Sequence, residues 1–363
     1  MRRAEVGARL AIALSVVVGA VVVLAILGVG ALIAARGGHV SIQLPVRHTE
    51  KFDASAIDLP PLDVRGSRLR TSDGAAVQLR GVMVPDPATL AGDGRFEHQL
   101  VRDVAATGAN VLRVPVHPGR WAEDEDYLWR YLDPIVGWAG DEGLYVIIDW
   151  HVIGNVATGS APHDPDLFAA DLDTTRAFWT AVAKHFVDTP HVLFELVNEP
   201  QGIAPDDWRD VADELTDLIR EQGATQPVVV GGTEYARDLS WLADGGVDDP
   251  DVVYATHVYP AHARAWWQSW FGGVTARYPL LLTEWGFQTD AGPHRDQAYL
   301  VGDVDGYARP LLDALEQEGA AGWVACWWDD EWDPQMFQPA GNGEELGDPT
   351  TWGAFVLAEL ARD

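Results

Sequence analysis

Cysteine and lysine are the residues that this chain has least of. Cys326 is the single cysteine among 363 residues, so neither an intrachain disulfide nor a cysteine-based zinc site can form. Lysine occurs only at positions 51 and 184, and Asp plus Glu outnumber Lys plus Arg by 55 to 25, which gives a formal net charge of −30. Such a surface repels phosphate backbones, so the charge argues strongly against nucleic acid as a partner.

Motifs for nucleotide cofactors and for zinc hydrolysis are also missing. No G-x-G-x-x-G follows the first predicted strand, and no G-x-x-x-x-G-K-[ST] occurs in the chain. No H-E-x-x-H occurs either, and the first predicted strand does not end in H-x-H. We therefore predict a protein without a cofactor and without a metal ion.

Tryptophan, by contrast, is abundant, with 16 residues in the chain. Indole faces are flat and apolar and make good platforms for sugar rings, although we expect about half of these residues to lie in the core or at its rim. The remaining composition, 47% hydrophobic and 22% charged, is that of a globular protein.

An uncharged apolar run occupies residues 10–35. As a helix it would extend about 39 Å, which is enough to cross a bilayer with some tilt. It is also longer than the apolar region of ordinary cleaved signals, and three arginines precede it. We predict that the protein is located in the cell membrane. Residues 1–9 would be cytoplasmic, residues 10–35 would form a transmembrane signal anchor, residues 36–62 a linker, and residues 63–363 an extracytoplasmic domain. A long cleaved signal peptide, and therefore secretion, is the alternative.

Eight short apolar runs follow and alternate with amphipathic stretches. The runs are VQLRGVMV (77–84), NVLRVPV (110–116), LYVIID (144–149), VLFELVNE (192–199), PVVVGG (227–232), VVYATHVY (252–259), PLLLTEWG (279–286) and GWVACWW (322–328). Near-continuous apolar strands separated by helices indicate a parallel sheet that is covered on both faces. Because the runs number eight, we predict an α/β fold of the (β/α)8 TIM barrel type rather than an open doubly wound sheet.

A turn signal lies ahead of the first barrel strand. Residues 64–81, VRGSRLRTSDGAAVQLRG, place Ser-Asp-Gly between two extended pieces. This pattern predicts a hairpin, and its position in the chain predicts that it closes the bottom of the barrel.

Polar and aromatic side chains collect where the eight runs end. These ends carry Arg113, Asp149, His151, Asn198, Glu199, Glu234, His257, Tyr259, Glu284, Trp327 and Trp328. Each has an ordinary structural interpretation when taken singly, such as an ion pair, a helix cap or a core aromatic. In a barrel, however, the carboxyl ends of all strands meet at the face where the chemistry of this fold takes place. We therefore predict that these side chains converge on one pocket.

Six motifs at these strand ends give the chain a family resemblance. They are N-V-L-R-V-P (110–115), I-D-W-H (148–151), V-N-E-P (197–200), T-H-V-Y (256–259), T-E-W-G (283–286) and W-W-D (327–329). In this order they resemble glycoside hydrolase family 5, the cellulase family of retaining glycosidases, over roughly residues 63–360. The resemblance implies Glu199 as the acid/base and Glu284 as the nucleophile. It also implies a group of substrate-binding residues, namely Arg113, His151, Asn198, His257, Tyr259 and Trp328.

The two adjacent tryptophans compete for one place at the site. Neighbouring residues of a strand face opposite sides, so only one indole can face the cleft. The resemblance implies Trp328 as the floor of the sugar site, which leaves Trp327 for the barrel wall.

The residue types suit glycoside cleavage with retention. This reaction needs one carboxylate that attacks the anomeric carbon and one carboxyl group that protonates the departing oxygen, about 5–5.5 Å apart. Arg113 and Tyr259 are expected to keep Glu284 ionised, because cations and hydrogen-bond donors favour the charged form. Facing a carboxylate and aromatic walls, Glu199 is expected to have a raised pKa. Asn198 is placed to donate to a sugar 2-hydroxyl.

The sequence thus predicts a monomeric, endo-acting hydrolase of β-linked glucan, with a polysaccharide or oligosaccharide as its substrate. β-Mannan and β-1,3-glucan are the competing substrates. Two alternatives belong to other classes: a zinc hydrolase that uses His151, His257 and the two glutamates, and a membrane-tethered carbohydrate-binding protein without activity. The acidic stretch DDEWD (329–333) is interpreted as a solvated loop, with sugar hydroxyls or a cation as its other potential ligands.

Overall fold

The computed structural model describes residues 50–290, 295–340 and 346–362. The predicted cytoplasmic segment at 1–9, the predicted signal anchor at 10–35 and the predicted linker up to residue 49 lie outside these residues. Within the described ranges, no helix combines the length and the hydropathy that a bilayer crossing requires.

Eight parallel strands close into a barrel. They are β1 (Leu79–Met83), β2 (Val111–Val116), β3 (Tyr145–Trp150), β4 (Val192–Glu195), β5 (Val228–Gly231), β6 (Val252–Val258), β7 (Leu280–Trp285) and β8 (Gly322–Ala325). Each strand pairs with the next one along the chain, and β8 pairs with β1. The predicted (β/α)8 barrel is confirmed, with every strand at one of the eight apolar runs.

Helices cover the outside of the barrel. They are α1 (His98–Ala105), α2 (Asp133–Asp141), α3 (Leu172–His185), α4 (Pro205–Glu221), α5 (Arg264–Trp270), α6 (Arg309–Glu318) and α7 (Thr351–Leu360). The longest, α4, begins with a proline and two aspartates, which suit the first turn of a helix, and it buries one apolar face. Between β5 and β6 the chain forms only two short pieces, Thr233–Ala236 and the 3-10 helix Ser240–Asp244.

Several shorter elements lie in the connections. These are the helical turns Ala54–Ala56, Pro87–Gly92, Pro118–Glu123, Leu128–Leu132, Pro165–Phe168, Val274–Ala276, Arg295–Leu300 and Val304–Ala308. The connections also contain two small sheets, one formed by Ile153–Gly154 with Glu199–Pro200 and one formed by Phe337–Pro339 with Leu346–Pro349.

Strand alternation divides the buried apolar residues into two clusters. One cluster fills the barrel interior, and the other lies between the strands and the helices. Toward the carboxyl ends of the strands, the inward rows change from apolar to ionisable residues, from Val111 to Arg113, Ile147 to Asp149, Leu193 to Glu195 and Ala255 to His257. The alternation that points apolar side chains into the barrel interior therefore also points ionisable side chains inward at the carboxyl end of the barrel.

A small antiparallel sheet covers the opposite end of the barrel. Its strands are Leu62–Arg65, Arg68–Thr71 and Ala76–Val77, and the Ser-Asp-Gly turn joins the last two. Leu62 and Leu69 are buried with the interior cluster. Tyr145, the first residue of β3, donates a hydrogen bond of 2.9 Å to the carbonyl of Pro60. The prediction that this hairpin closes the barrel bottom is confirmed.

Residues ahead of position 63 also pack on the barrel domain. The ring of Phe52 lies 6.4 Å from that of Phe186 and 6.2 Å from that of His191, measured between centroids. The described part of the predicted linker 36–62 therefore includes residues that contact the domain. A fragment that preserves this packing has to begin before Phe52.

Candidate active site

Glu199 and Glu284 lie together at the carboxyl end of the barrel. Glu284 belongs to β7, whereas Glu199 lies four residues beyond β4, where its N–H donates to the carbonyl of Val152 at 2.9 Å. This hydrogen bond belongs to the two-residue pairing that prolongs the sheet past β3 and β4. One carboxylate oxygen of each glutamate and a ring nitrogen of His257 all lie within 4.8 Å of one another.

Arg113 is fully buried and connects the polar groups of the site. Its Nη1 donates to Oε1 of Glu284 at 2.9 Å, and its Nη2 donates to Oδ1 of Asn198 at 2.8 Å. Its Nε donates to Oε2 of Glu195 at 2.7 Å, and Oδ2 of Asp149 lies 3.2 Å from Nη2. Because the guanidinium is planar and rigid, these contacts fix the orientation of both Glu284 and Asn198.

The two glutamates have pKa values that move in opposite directions. Burial opposes the ionisation of Glu284, but the charges of His257 and Arg113 outweigh it, and a hydrogen bond of 2.9 Å from the Tyr259 hydroxyl adds to them. The pKa of Glu284 is thereby lowered to about 2. Burial and the nearby charge of Glu284 raise the pKa of Glu199, although a hydrogen bond with His257 works against that shift. Glu284 is therefore the more readily ionised glutamate of the pair, and Glu199 keeps its proton to a higher pH.

A β-bulge brings His257 opposite Glu284. In the β6–β7 ladder Thr256 pairs with Leu282, whereas His257 pairs with Glu284, so Thr283 is the extra residue on β7. Nε2 of His257 lies 3.0 Å from the Thr283 hydroxyl, and Nδ1 lies 3.0 Å from Oε1 of Glu199. Burial works against a charge on His257, but the two glutamates prevail and raise its pKa.

His151 lies beside the site in an arrangement with Asp149. Nδ1 of His151 is 2.5 Å from Oδ2 of Asp149, and both side chains are buried. Burial and the neighbouring His117 hold the pKa of His151 well below its usual value. Burial also raises the pKa of Asp149 to about 7, although Arg113 opposes that rise. The pair is thus a neutral imidazole next to a carboxyl group that titrates near neutrality.

Three buried residues of this region had no predicted role: Asp149 was expected only among the converging strand-end side chains, and Glu195 and His117 were not expected there. Asp149 and Glu195 contact Arg113, and the ring of His117 lies 4.6 Å from that of His151. Nδ1 of His117 is 3.0 Å from Oδ2 of Asp86. A signal was present for the two carboxylates, since each continues the inward row of its strand. For His117, which lies one residue beyond β2, strand position alone carried no such signal.

The two adjacent tryptophans are placed the other way round from the prediction. Trp327 belongs to the interior cluster, with its ring 5.9 Å from His151 and 5.6 Å from Trp332. Trp328 belongs to the outer cluster, with its ring 4.8 Å from that of Phe337. Alternation predicts Cys326 and Trp328 on the inside, but β8 ends at Ala325 and Trp327 lies inside together with Cys326. The prediction of Trp328 as the floor is therefore wrong, and the structure brings the other seven predicted residues together.

The acidic stretch 329–333 is tied to the domain at its first two residues. Asp329 is fully buried, and its Oδ1 lies 2.6 Å from Nη2 of Arg95. Oδ1 of Asp330 lies 2.9 Å from Nη1 of the same arginine, and the N–H of Trp332 donates to Oδ2 of Asp329 at 2.8 Å. The interpretation as a solvated loop is wrong for these two aspartates, which hold the loop that carries Trp332.

Glu199, His257 and Glu284 are also the side chains that a metal ion would use. In the part of the chain that the structure describes, they form the single group of three or more His, Cys, Asp or Glu ligands close enough to share an ion. Both carboxylate oxygens of Glu284 already accept hydrogen bonds, one from Arg113 and one from Tyr259. A guanidinium at this distance repels a divalent cation, so the donor set fits a pair of carboxylates held by hydrogen bonds better than a zinc site.

Residues 71–331 match the sequence model of one protein family, Cellulase (glycosyl hydrolase family 5). The chain belongs to glycosyl hydrolase family 5. Endoglucanase N of Pectobacterium atrosepticum is 27% identical over 252 residues, which cover 66% of this chain and 53% of that protein. Endoglucanase MaCel5A of Microbulbifer sp. (strain ALW1) is 28% identical over 257 residues, with coverages of 66% and 48%. The chain thus spans about half the length of these two relatives.

Solved structures share the barrel. Beta-glucanase SdGluc5_26A of Saccharophagus degradans, solved in complex with cellotetraose, superposes with a TM-score of 0.78 at 24% identity, covering 87% of this chain and 97% of that one. The catalytic domain of Thermobifida fusca endoglucanase Cel5A (E5) superposes with a TM-score of 0.70 at 21% identity, with coverages of 83% and 97%. At these identities the likeness shows a common fold, and the family match confirms the resemblance carried by the six motifs.

Proposed function

We propose that this chain is an endo-β-1,4-glucanase that retains the anomeric configuration. The observation that carries the proposal is the pair formed by Glu199 and Glu284, whose oxygens lie within 4.8 Å and whose pKa values shift in opposite directions. Inverting enzymes hold their carboxyl groups about 6.5–9.5 Å apart to leave room for a water molecule, whereas retaining enzymes hold them about 5–5.5 Å apart. The short separation supports retention.

The proposed reaction has two displacements. The carboxylate of Glu284 forms a bond to the anomeric carbon while the bond to the glycosidic oxygen breaks, and the proton of Glu199 goes to that departing oxygen. Glu199, now a carboxylate, then takes a proton from a water molecule. The oxygen of that water bonds to the anomeric carbon while the bond to Glu284 breaks, which releases the sugar and leaves Glu284 as a carboxylate and Glu199 protonated.

Asn198 is suited to stabilise the charge that develops on the sugar. Its Oδ1 accepts from Arg113, which fixes the amide and leaves Nδ2, a buried donor, without a partner among the residues that the structure describes. A buried donor without an acceptor is unfavourable, and a sugar 2-hydroxyl would satisfy it. Hydrogen bonds at that position strengthen in an oxocarbenium-like transition state, so this contact favours catalysis over binding alone.

The names of the relatives support β-1,4-glucan as the substrate. Both relatives named above are endoglucanases, and the beta-glucanase with the same fold was solved with cellotetraose. β-Mannan and β-1,3-glucan stay the competing substrates, because loop shapes rather than the carboxylates distinguish these polymers.

A polysaccharide panel tests the proposal. We expect the chain to release reducing ends from carboxymethyl cellulose and mixed-linkage glucan faster than from β-mannan or β-1,3-glucan. Proton NMR of the first product should show the β-anomer. Release of the α-anomer would contradict retention, a preference for mannan or β-1,3-glucan would contradict the substrate, and binding without cleavage would support the carbohydrate-binding alternative.

We also propose that residues 10–35 anchor a monomeric enzyme in the membrane, with the barrel on the outer side. The support is the uncharged apolar run itself. The intact chain should partition with membranes, while a fragment that begins at residue 46, and so retains Phe52, should be a monomer in solution and fully active. Appearance of the protein only in the medium, with a shortened N-terminus, would favour a cleaved signal.

A further inference from the structure

Arg95 joins the two loops that follow the first and the last strand of the barrel. It lies between the helical turn Pro87–Gly92 and α1, and only 10% of its side chain is exposed. Its Nη2 donates to Oδ1 of Asp329 at 2.6 Å, and its Nη1 donates to Oδ1 of Asp330 at 2.9 Å. Both aspartates follow β8, which pairs with β1. We call these three residues the Arg95 clamp.

Asp329 links the Arg95 clamp to the backbone of Trp332. The Asp329 side chain is fully buried, and while its Oδ1 accepts from Arg95, its Oδ2 accepts from two backbone N–H groups of the same loop. These belong to Glu331, at 3.2 Å, and to Trp332, at 2.8 Å. A displacement of the Asp329 carboxylate would therefore move the part of the loop that carries the indole.

Trp332 completes a closed group of four aromatic rings beside the predicted site. Its ring lies 5.6 Å from that of Trp327 and 5.9 Å from that of His117, measured between centroids. The His151 ring closes the group, 5.9 Å from Trp327 and 4.6 Å from His117. These three other rings are buried, whereas Trp332 is partly exposed. Trp332 is therefore the ring of the group that is most open to a ligand from solvent.

The loop that carries Trp332 has no regular structure of its own. Residues 326–336 form neither helix nor strand, so their conformation depends on side-chain contacts as well as on backbone hydrogen bonds. The side chains of the Arg95 clamp are 10%, 0% and 11% exposed, so solvent and salt screen these charges little. A planar guanidinium that binds two carboxylates at once also fixes their geometry. The Arg95 clamp is thus suited to hold the loop in one position.

We propose that Arg95 is a positioning residue for glucan binding. By holding Asp329 and Asp330 it keeps Trp332 in the place where the indole can pack on a sugar ring. This inference rests on the proposed function, because it requires a sugar chain to bind beside His151. It gives a role to a residue outside the six strand-end motifs, and that role concerns substrate affinity rather than the reacting groups.

Arg95→Lys tests the Arg95 clamp and keeps a positive charge beside the buried Asp329, so the domain should still fold. A lysine ammonium lacks the planar fork that binds two carboxylates. Losing one charge-assisted hydrogen bond should reduce the population of the held loop about tenfold, and KM for cellohexaose should rise by about that factor. The value of kcat should stay within about twofold of the wild type, because the reacting groups are not moved. Asp330→Asn should raise KM less.

Trp332→Ala decides whether Arg95 acts through the indole. By itself this change should raise KM for cellohexaose at least as much as Arg95→Lys does. When Arg95→Lys is added to Trp332→Ala, KM should rise by less than about twofold further, because the side chain that Arg95 positions is gone. The Tm should fall by the same amount in both backgrounds, since the contacts with Asp329 and Asp330 are weakened in each. An arginine with a purely structural role would lower the Tm without this coupling in KM.

Arg220→Lys is the matched control. Arg220 is a partly buried arginine that also binds a carboxylate in two places, with Nε 2.9 Å from Oδ2 of Asp249 and Nη2 3.0 Å from Oδ1. This pair joins the end of α4 to the chain ahead of β6, at the opposite end of the barrel from the two glutamates. Arg220→Lys should lower the Tm and leave KM for cellohexaose unchanged.

Three outcomes would overturn the proposal while leaving the proposed function intact. The first is an unchanged KM in Arg95→Lys with a lower Tm, which would limit the Arg95 clamp to stability. The second is an equal effect of Arg95→Lys on KM with and without Trp332. The third is an equal rise of KM in Arg220→Lys, which would make the effect a general one.

A wild type that cleaves no β-glucan would contradict the proposed function separately. The Arg95 clamp is then tested by the Kd of cellohexaose, measured by calorimetry on the same variants, where Arg95→Lys should weaken binding only when Trp332 is present. An unchanged Kd in Arg95→Lys, or no binding by the wild type, would overturn the role of Arg95 as well.

Discussion

Replacing Trp327 and Trp328 separately by alanine tests how the end of β8 is built. The two residues are neighbours in the chain and equally buried, each with 6% of its surface exposed, yet they belong to different clusters. Because size, burial and chain position are matched, a difference between the two variants reports on which side of the barrel wall each indole lies.

The expected loss of stability is larger for Trp328. Its indole packs on Phe337 in the outer cluster, between the barrel and its covering elements, where solvent cannot refill the space. Truncating a buried tryptophan to alanine costs about 3–5 kcal/mol of unfolding free energy. At roughly 2 °C per kcal/mol for a domain of this size, the Tm should fall by roughly 6–10 °C.

The expected loss of activity is larger for Trp327. Its ring lies 5.9 Å from His151, and it belongs to the interior cluster rather than to the one between the strands and the helices. Losing an aromatic face beneath the reacting sugar should lower kcat/KM by about two orders of magnitude, which corresponds to about 3 kcal/mol of transition-state stabilisation. Solvent can enter the space at the carboxyl end of the barrel, so the Tm should fall less than in Trp328→Ala.

The assay pairs thermal unfolding with kinetics on a soluble β-glucan for both variants and the wild type. If Trp328→Ala loses the activity and Trp327→Ala loses the stability, the sequence-based assignment was right and the placement in the structure is wrong. If both variants lose activity and thermal stability to the same extent, the two indoles have the same role. The division into an interior and an outer cluster would then not correspond to a division of function.

Three further predictions concern the ionisable groups. Glu284→Ala should be nearly inactive, and added azide should restore some turnover with inverted product; near-normal hydrolysis by this variant would contradict its role as nucleophile. Glu199→Ala should retain most activity on aryl glycosides whose leaving group needs little protonation, whereas an equal loss on good and poor leaving groups would argue against its role as the acid. Asp149 has a pKa raised to about 7 in the folded chain against 3.8 as its ordinary value, so its contribution to stability is present below about pH 4 and is lost as the pH rises through 7. Asp149→Asn should therefore show a smaller decline of Tm between pH 4 and 8 than the wild type, and parallel curves would contradict that pKa.

The fold could be predicted because each barrel strand has a recognisable pattern in its own short stretch of sequence. A strand buried on both faces is nearly all apolar over four to seven residues, as in Val228–Gly231 and Val252–Val258. Eight such strands that alternate with helices are compatible with few folds, of which the closed barrel is one. The family followed from motifs at strand ends, because their order along the chain is itself the order of the strands around the barrel. None of this required knowledge of how the side chains pack.

The prediction was weaker where a strand ends. Within β3 and β4 the period of two continues to Asp149, which was expected in the pocket, and to Glu195, which the inward row of β4 would also have indicated had it been followed to its last residue. Beyond Ala325 that period no longer holds, and an assignment based on it interchanged Trp327 and Trp328. Glu199 lies outside its strand as well, but the short pairing with Ile153–Gly154 holds it in place.

What the sequence determined by itself is the set of parts: eight strands, a closing hairpin, two glutamates at the ends of the fourth and seventh apolar runs, and an acidic composition poor in lysine. Only the tertiary structure decided in which direction the pKa of each glutamate shifts and which of the two indoles lies on the inner side of the barrel. A pKa depends on burial and on charges brought within a few ångströms by distant parts of the chain, as Arg113 and His257 are brought to Glu284. The direction of a side chain past the end of a strand depends on what the chain packs against there, and that information is not local.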